Sequence, residues 1–213
     1  GPVAGRTDTT TKDREPRSVV DLEGRTYTCK QTNFDTYIKY AQLDAWAKFK
    51  DFQTRMRNHV TLQVARDRLT VGFNGTSAAA DTDPATNTLL QDVNKGWLQH
   101  IREDAAERVL TGIKVGTEDG SDYRNLDAAV FDAANELLEP WYRDDPEIIV
   151  IVGRTLLTDK YLGLINSADS DAPTEKAALS TLILNKALGG KLAKAVPFFP
   201  SRSLLITKPS NLS

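Results

Sequence analysis

The strand, glycine and helix pattern EIIVIVGRTLLTDK, residues 147–160, is the stretch of this chain whose residue types could most readily hold a ligand. In doubly wound α/β proteins, such a junction binds phosphate at the start of the helix. Here it contains one glycine, Gly153, and lacks both the GxGxxG and the GK[ST] signatures. Ordinary packing of a strand against a helix therefore explains it better. A cytoplasmic nucleotide- or phosphate-binding α/β enzyme stays open as an alternative function.

Three side chains of metal-binding or nucleophilic type lie far apart in the sequence. They are Cys29, His59 and His100, and no CxxC, HxxxH or HExxH spacing occurs. Asp81 and Asp83 begin like a calcium loop, but the glycine and the closing glutamate of that loop are absent. We interpret the histidines as surface residues and the cysteine as a packed side chain. We expect no catalytic residue, metal or cofactor.

A group of arginines could form the basic face of a helix, and a nucleic-acid-binding module is therefore a second alternative. Acidic residues interrupt the group, and the net charge of the chain is −2. A solvated or partner-facing surface is the better interpretation, because nucleic-acid contact normally needs a clear basic excess. The arginines are Arg55, Arg57, Arg66 and Arg68.

The composition of the 213 residues is that of a globular protein, with 40% apolar and 26% charged residues. No apolar run approaches the roughly 20 residues of a membrane span, and the first thirty residues resemble no secretory signal. A single cysteine fits a reducing cytoplasm. The chain opens with Gly1-Pro2 instead of methionine and stops soon after a strand-like LLIT, so we expect a fragment of a longer protein, truncated at both ends.

The first half of the chain combines a polar arm with long elements. Residues 1–24 are polar and of mixed charge, which predicts a disordered or extended arm. Residues 25–40 roughly alternate and predict a long strand, although a helix over 34–49 competes with it. Residues 50–72 predict a helix of about 33 Å, with apolar residues stepping by four, namely Phe52, Met56, Val60 and Val64.

A long polar loop, residues 74–88, follows that helix, and an amphipathic helix is predicted over 89–103. We expect Trp97, in this second helix, to anchor the helix in the core. The three glycines of residues 111–122 predict a loop or hairpin.

The second half alternates helices and strands. The predicted helices are 124–139, 154–166 and 175–188, the last ended by Gly189-Gly190. The predicted strands are EIIVIVG at 147–153, KAVPFFP at 194–200 and SLLIT at 203–207.

Several long segments of the sequence resemble the corresponding segments of one protein family. They are NFDTYIKYAQLDAWAKFKDFQTRMRN, GFNGTSAA, LLQDVNKGWLQHIRE, AAERVL, EPWYRDDPEIIVIVGRTLLTDKY and VPFFP, followed by LLITK and NLS. In this order, over residues 25 to 213, the chain resembles the major capsid proteins of P-two-like (Peduovirus-type) tailed phages. Members of that family begin earlier and continue past NLS, which puts in doubt whether this stretch forms shells by itself.

The resemblance implies an α+β fold of the HK-97 type (Johnson fold). Such a subunit has an extended loop, a peripheral domain with a long spine helix, and an axial domain. By order along the chain, residues 1–32 would be the extended loop or arm. Residues 33–123 would be the peripheral domain, with the spine helix at about 50–72. Residues 124–213 would be the axial domain and return strands, with the C-terminal part missing.

The resemblance also implies a structural function without enzymatic activity. Copies would self-assemble into hexamers and pentamers and close an icosahedral shell around double-stranded DNA. Further partners would be an internal scaffolding protein that is also the maturation protease, and a portal protein, with no membrane involved. The shell would be assembled in the cytoplasm of the host bacterium and become part of the virion. As contacts between subunits we predict the arm cations Arg6, Lys12, Arg14, Arg17 and Arg25.

Overall fold

The computed structural model describes residues 4–11, 13–16, 30–167 and 187–212. The chain divides into two units, residues 1–31 and 32–213. In the first unit, the carboxylate of Asp8 accepts hydrogen bonds from the backbone N–H of Thr10 at 3.0 Å and from its hydroxyl at 2.5 Å. The second unit contains the helices and strands.

A four-stranded sheet lies at the centre of the second unit. Its strands are β1 (Ile149–Val152), β2 (Ala187–Leu188), β3 (Lys191–Lys194) and β4 (Leu204–Thr207), in the order β2-β3-β1-β4. Strand β1 runs parallel to β3 and antiparallel to β4, with Val150 opposite both Ala193 and Ile206. All four β1 residues are buried, as expected for a β-branched strand covered on both faces.

The two faces of the sheet carry separate buried clusters, because successive side chains of a strand point to opposite sides. On one face, Val150 and Val152 pack with Leu126, Val130, Leu188 and Ala193. On the other face, Ile149 and Ile151 pack with Phe73 and Phe199, and Trp97 and Leu98 border them.

Three helices accompany the sheet in the second half, namely α4 (Leu126–Leu137), α5 (Pro140–Arg143) and α6 (Arg154–Ser167). The side chain of Asn125 caps α4 by accepting the backbone N–H of Ala128 at 2.8 Å. Pro140 opens α5, where its missing N–H costs nothing. The apolar face of α4 is buried through Leu126, Ala129, Val130, Ala133 and Ala134.

The first half contributes α1 (Tyr40–Trp46), α2 (Phe52–Asn74) and α3 (Trp97–Asp104), with a 3-10 turn at Ala106–Arg108. A second 3-10 turn, Pro209–Asn211, follows β4. The predicted helices at 50–72, 124–139 and 154–166 and the strands at 147–153 and 203–207 are confirmed, with shifts of a few residues at their ends.

The long strand predicted over 25–40 is wrong in its described part. Residues 30–39 have no regular structure and helix α1 begins at Tyr40, while residues 25–29 lie outside the described residues. A strand needs a second strand to pair with its backbone groups, and no strand of the described part of the chain pairs with 30–39. The competing helix over 34–49 is partly right.

Two glycines that were predicted to stop a helix instead turn a hairpin. Gly189 and Gly190 have φ of +54° and +80° and connect β2 to β3, as a two-residue hairpin turn requires. Residues 187–188 are therefore a strand, and the rest of the predicted helix 175–188 lies outside the described residues. In KAVPFFP only Lys194 belongs to a strand, because Pro197 and Pro200 lack the N–H that a ladder needs.

The second amphipathic helix starts later than predicted. Residues 91–93 form a turn, residues 94–96 have no regular structure, and α3 begins at Trp97, after Gly96 in the N-cap position. Leu90 has a φ of +55°, which no helix accommodates.

Candidate assembly surfaces

The apolar stripe of α2 is covered only in part. Phe52, Met56, Val60 and Val64 are half-buried, and none belongs to either buried cluster. The buried residues of α2 lie in its last turns, at Thr70, Gly72 and Phe73. Along most of its length, α2 is therefore a rod that the described residues leave largely uncovered.

The segment before α2 runs back along the helix. Phe34 lies beneath the guanidinium of Arg68, 5.8 Å from the ring centroid, and the rings of Trp46 and Phe52 are 5.6 Å apart. Tyr37 and Tyr40 are nevertheless 84% and 85% exposed, and α1 has no buried residue. A run of exposed aromatic residues marks a surface that a partner can cover.

Four side chains of α2 form an exposed line that we name the basic stripe: Arg55, His59, Leu62 and Arg66. Their spacing of four, three and four residues places them on one face of the helix. The Nε of Arg55 pairs with a carboxylate oxygen of Asp51 at 2.5 Å, while Leu62 is 50% exposed. Arg57 and Arg68, the other predicted arginines, lie on a different side of the helix by the same geometry.

A second exposed surface lies on α4. The acidic stripe consists of Phe131, Asp132 and Glu136, all exposed, and Phe131 is 61% exposed. Tyr123 donates its hydroxyl to Asp132 at 2.5 Å, which raises the pKa of the tyrosine and holds the carboxylate in place. On α5, Trp141 is 68% exposed. This surface was not predicted, although the excess of acidic residues over 118–147 is a signal in the sequence that could have indicated it.

Trp97 fixes the long loop against the end of α2. Its ring makes an edge contact with Phe73 at 5.1 Å between centroids. The ring lies so close to Gly72 that a Cβ there would come within 2.3 Å of it. Gly96 donates its N–H to the carbonyl of Gly75 at 3.0 Å. The backbone just before α3 therefore touches the backbone at the end of α2, and the role of Trp97 as an anchor stays a prediction.

Carboxylates organise the loop itself. Asp92 is buried and its Oδ2 accepts from the backbone N–H of Asp83 at 2.7 Å and from the side-chain amide of Asn87 at 3.0 Å. Asp83 in turn accepts from Thr86, which lowers the pKa of Asp83. The loop carboxylates thus hold the turns of the loop. Among the described residues, no group of three or more His, Cys, Asp or Glu side chains could hold a metal ion.

The Gly153 junction is filled by protein. A Cβ at Gly153 would meet the carbonyl oxygens of Ser201 at 2.2 Å and Pro200 at 2.4 Å. Its N–H donates to the carbonyl of Ser203 at 2.8 Å. Carbonyl oxygens carry partial negative charge, so they disfavour a phosphate where the alternative function would place one.

An open groove of about 360 Å³ lies beside this junction, between α6 and β3. More of its wall is apolar than polar, and Arg154 is the charged residue of its described lining. That lining lacks a carboxylate, histidine or cysteine for acid-base or nucleophilic chemistry. It consists of Arg154, Leu157, Thr158, Tyr161, Leu162, Ala193 and Ala195.

An ionic clamp lies at one end of the strands of the sheet, before β1 and after β4. Lys208, just after β4, contacts Asp145 at 2.5 Å and Glu147 at 3.2 Å. The hydrogen bond from Lys208 lowers the pKa of Asp145, and the same bond raises the pKa of Lys208. Lys191 Nζ donates to the backbone carbonyls of Arg143 and Asp145. The clamp thus joins β3 and β4 to the turn before β1.

The predicted contact residues of the arm are only partly described. Arg6 and Arg14 are exposed, whereas Lys12, Arg17 and Arg25 lie outside the described residues, as does Cys29. No helix in the described part of the chain is both long and apolar enough to cross a membrane.

Comparisons with known proteins point to one kind of protein. A family model described as phage major capsid protein, P2 family, matches residues 1–213. The chain is 42% identical over 226 residues to the capsid proteins of Escherichia phage P2, covering 100% of this chain and 62% of the relative. It is 37% identical over 221 residues to the major capsid protein of Serratia phage KSP20, covering 100% of this chain and 64% of that relative.

A solved structure shows a similar architecture. A chain of the satellite phage P4 procapsid including size determination (Sid) protein matches with a TM-score of 0.84 and 41% identity, over 98% of this chain and 64% of that one. The present chain thus spans slightly less than two thirds of the length of these proteins.

Proposed function

Because this chain belongs to the P2 family of phage major capsid proteins, we propose that the protein containing it builds the icosahedral head shell of a tailed bacteriophage or related element. Copies pack into hexamers and pentamers and enclose double-stranded DNA. The observation that supports this most strongly is the similarity to a procapsid chain, with a TM-score of 0.84 over 98% of the residues.

The fold is that of a phage capsid subunit, with mixed α and β content. Its finer assignment to the HK-97 type is part of the proposal. Helix α2 has the length of a spine helix, and the sheet with α4 and α6 has the makeup of an axial domain. The boundaries 1–32, 33–123 and 124–213 remain proposals. Phe73 and Ile149 share one cluster, so the second and third segments pack on a common core.

The surface supports assembly better than ligand chemistry. Large aromatic residues are exposed at Tyr37, Tyr40, Phe131 and Trp141, whereas backbone carbonyls fill the Gly153 junction. Exposed aromatic residues among charged ones are typical of surfaces that are buried on association.

The partners are proposals of the same kind. We expect an internal scaffolding protein that also acts as maturation protease, a portal protein at one vertex, and packaged DNA inside the shell. Assembly would take place in the bacterial cytoplasm, and the finished shell would belong to the virion.

The test is negative-stain electron microscopy of the full-length protein containing this chain, co-expressed with its scaffolding protein. We expect closed shells in the presence of the scaffold. Dispersed subunits, with the scaffold confirmed in the same cells, would contradict the proposed function. Thermal stabilisation by nucleotides would then support the enzyme alternative.

A further inference from the structure

The charges of this chain are strongly separated along its sequence. Residues 48–68, around the first part of α2, contain six basic and two acidic residues. Residues 118–147, around α4 and α5, contain ten acidic and two basic residues. The net charge of −2 is therefore the sum over one basic and one acidic segment and others of mixed charge. Two copies of the chain can attract each other through these two segments.

The acidic residues that face solvent on α4 are available to a partner. Asp127 is engaged by Lys160 at 2.5 Å, and Asp145 and Glu147 are engaged by Lys208. Asp132 and Glu136 lie on the exposed side of α4 beside Phe131. An exposed phenylalanine beside two carboxylates fits an apolar residue that has cations near it.

The basic stripe of α2 has that complementary pattern. Arg55 and Arg66 lie at its two ends and the half-exposed Leu62 lies between them. The acidic stripe spans residues 131–136 and the basic stripe residues 55–66. The shorter stripe can therefore cross the longer one as two packed helices do, with Phe131 against Leu62. All four residues of the basic stripe are exposed in the described part of the chain, which leaves this face accessible to a second copy.

From this complementarity we propose that the acidic stripe of one copy docks on the basic stripe of α2 in the next copy. The inference rests on the proposed shell-building function and specifies which two surfaces meet. The contact is heterologous, because two different surfaces of the same chain meet, and such contacts close into rings when the rotation allows. A ring of five or six copies would contain it once per neighbouring pair.

Charge reversal tests the proposal in the full-length protein co-expressed with its scaffold. Arg66→Glu and Glu136→Arg should each raise the protein concentration needed for half-maximal assembly at least about three-fold, because an attractive exposed pair becomes repulsive in every contact. The double variant should restore assembly. Arg102→Glu, the same reversal on exposed α3, serves as the control and should assemble normally.

Folding is not the cause of these expected effects. Glu136 lies in the last turn of α4, where a cation is favourable. The hydroxyl of Thr70 donates to the backbone carbonyl of Arg66 at 2.9 Å, and a change of the Arg66 side chain leaves that carbonyl in place. Unchanged thermal unfolding of each variant would confirm this. Harmless single reversals, or a double variant that stays defective, would overturn the proposal.

Cross-linking gives an independent measurement. In a Cys29→Ser background, Leu62→Cys and Phe131→Cys place one thiol in each stripe, and a short bis-maleimide should produce a ladder of covalent oligomers ending at five or six copies. Pairing Leu62→Cys with Asp81→Cys, in the exposed loop, should give no ladder. Wild-type shells together with an absent ladder would overturn this inference alone, whereas a wild-type protein that forms no shells would contradict the proposed function itself.

Discussion

Gly153 shows how a single residue separates a structural from a chemical interpretation. In the sequence it follows a buried strand and precedes a helix, a position that binds phosphate in many α/β proteins. In the structure, the carbonyls of Pro200 and Ser201 approach its Cα, and its N–H is bound to Ser203. The glycine is needed because another part of the backbone lies against it.

We expect Gly153→Ala to lower the free energy of unfolding by about 2–3 kcal/mol, because the added methyl group overlaps backbone atoms that cannot rotate away. Urea denaturation followed by tryptophan fluorescence measures this. Gly116→Ala is the control, since its Cβ would come no closer than 3.3 Å to the hydroxyl of Ser121. Equal effects of the two substitutions would contradict the packing role of Gly153.

The clamp between Asp145 and Lys208 predicts a pH dependence. The pKa of Asp145 in the folded protein lies below its usual value of 3.8. Its stabilising contribution is therefore complete above that value and is lost as the pH falls through the lower folded-state pKa. We expect Asp145→Asn to reduce the unfolding midpoint at pH 7, with the difference from wild type disappearing in strong acid.

Denaturation of wild type and Asp145→Asn between about pH 2 and pH 7 measures the difference between their unfolding midpoints. This pH range includes the usual carboxyl pKa of about 4. Asp144→Asn is the matched control, because Asp144 is the exposed neighbour outside the clamp. A difference that stayed constant down to the lowest pH would show that charge is not the basis of the effect.

At the scale of elements, the end of α2, the long loop and the start of α3 form one packed unit. Small residues allow this close packing, because the ring of Trp97 lies directly against Gly72 and because Gly96 contacts the backbone at the end of α2. Carboxylates of Asp83 and Asp92 hold the loop between them. A loop of this length thus has a fixed conformation without a ligand.

We expect Trp97→Ala to cost about 3 kcal/mol of unfolding free energy, since it removes a large ring from Phe73 and Gly72 and leaves a cavity. Trp141→Ala, the same substitution at a residue that is 68% exposed, should change the value by less than about 0.5 kcal/mol. Chemical denaturation compares the two. Similar losses would mean that Trp97 is not an anchor.

At the scale of the whole molecule, the chain divides into two units, residues 1–31 and 32–213. Both buried clusters lie within residues 32–213. The described arm residues are almost all exposed, which fits a segment that becomes buried only on association.

Replacing the arm cations by glutamine in the full-length protein should leave unfolding of the core unchanged and weaken association about ten-fold, because several attractive charges are lost at each contact. The five cations are Arg6, Lys12, Arg14, Arg17 and Arg25. Light scattering over a concentration series measures association. A Thr-to-Ser variant at Thr7, Thr9 and Thr10 controls for general disturbance of the arm. Unchanged association of the glutamine variant would disprove the role assigned to these cations.

The sequence by itself determined the elements whose pattern is local. Helices α2, α4 and α6 and strands β1 and β4 were predicted within a few residues, because an apolar period of 3.6, or a short β-branched run, depends only on neighbouring residues. Long specific words also indicated the family. Of the basic face predicted from Arg55, Arg57, Arg66 and Arg68, only Arg55 and Arg66 lie in the basic stripe, because the helical period places the other two on another side of α2. The sequence did not place Phe131 at the surface.

The tertiary structure decided what depends on residues far away along the chain. Residues 30–39 alternate like a strand but have no partner strand in the described part of the chain, and Gly189-Gly190 could end a helix or turn a hairpin with the same φ values. Helix α2 is buried at Phe73, and not along its apolar stripe, because Phe73 packs in one cluster with Ile149 and Phe199, which are distant in the sequence. Backbone pairing and core packing join distant segments, so their outcome cannot be read from a local pattern.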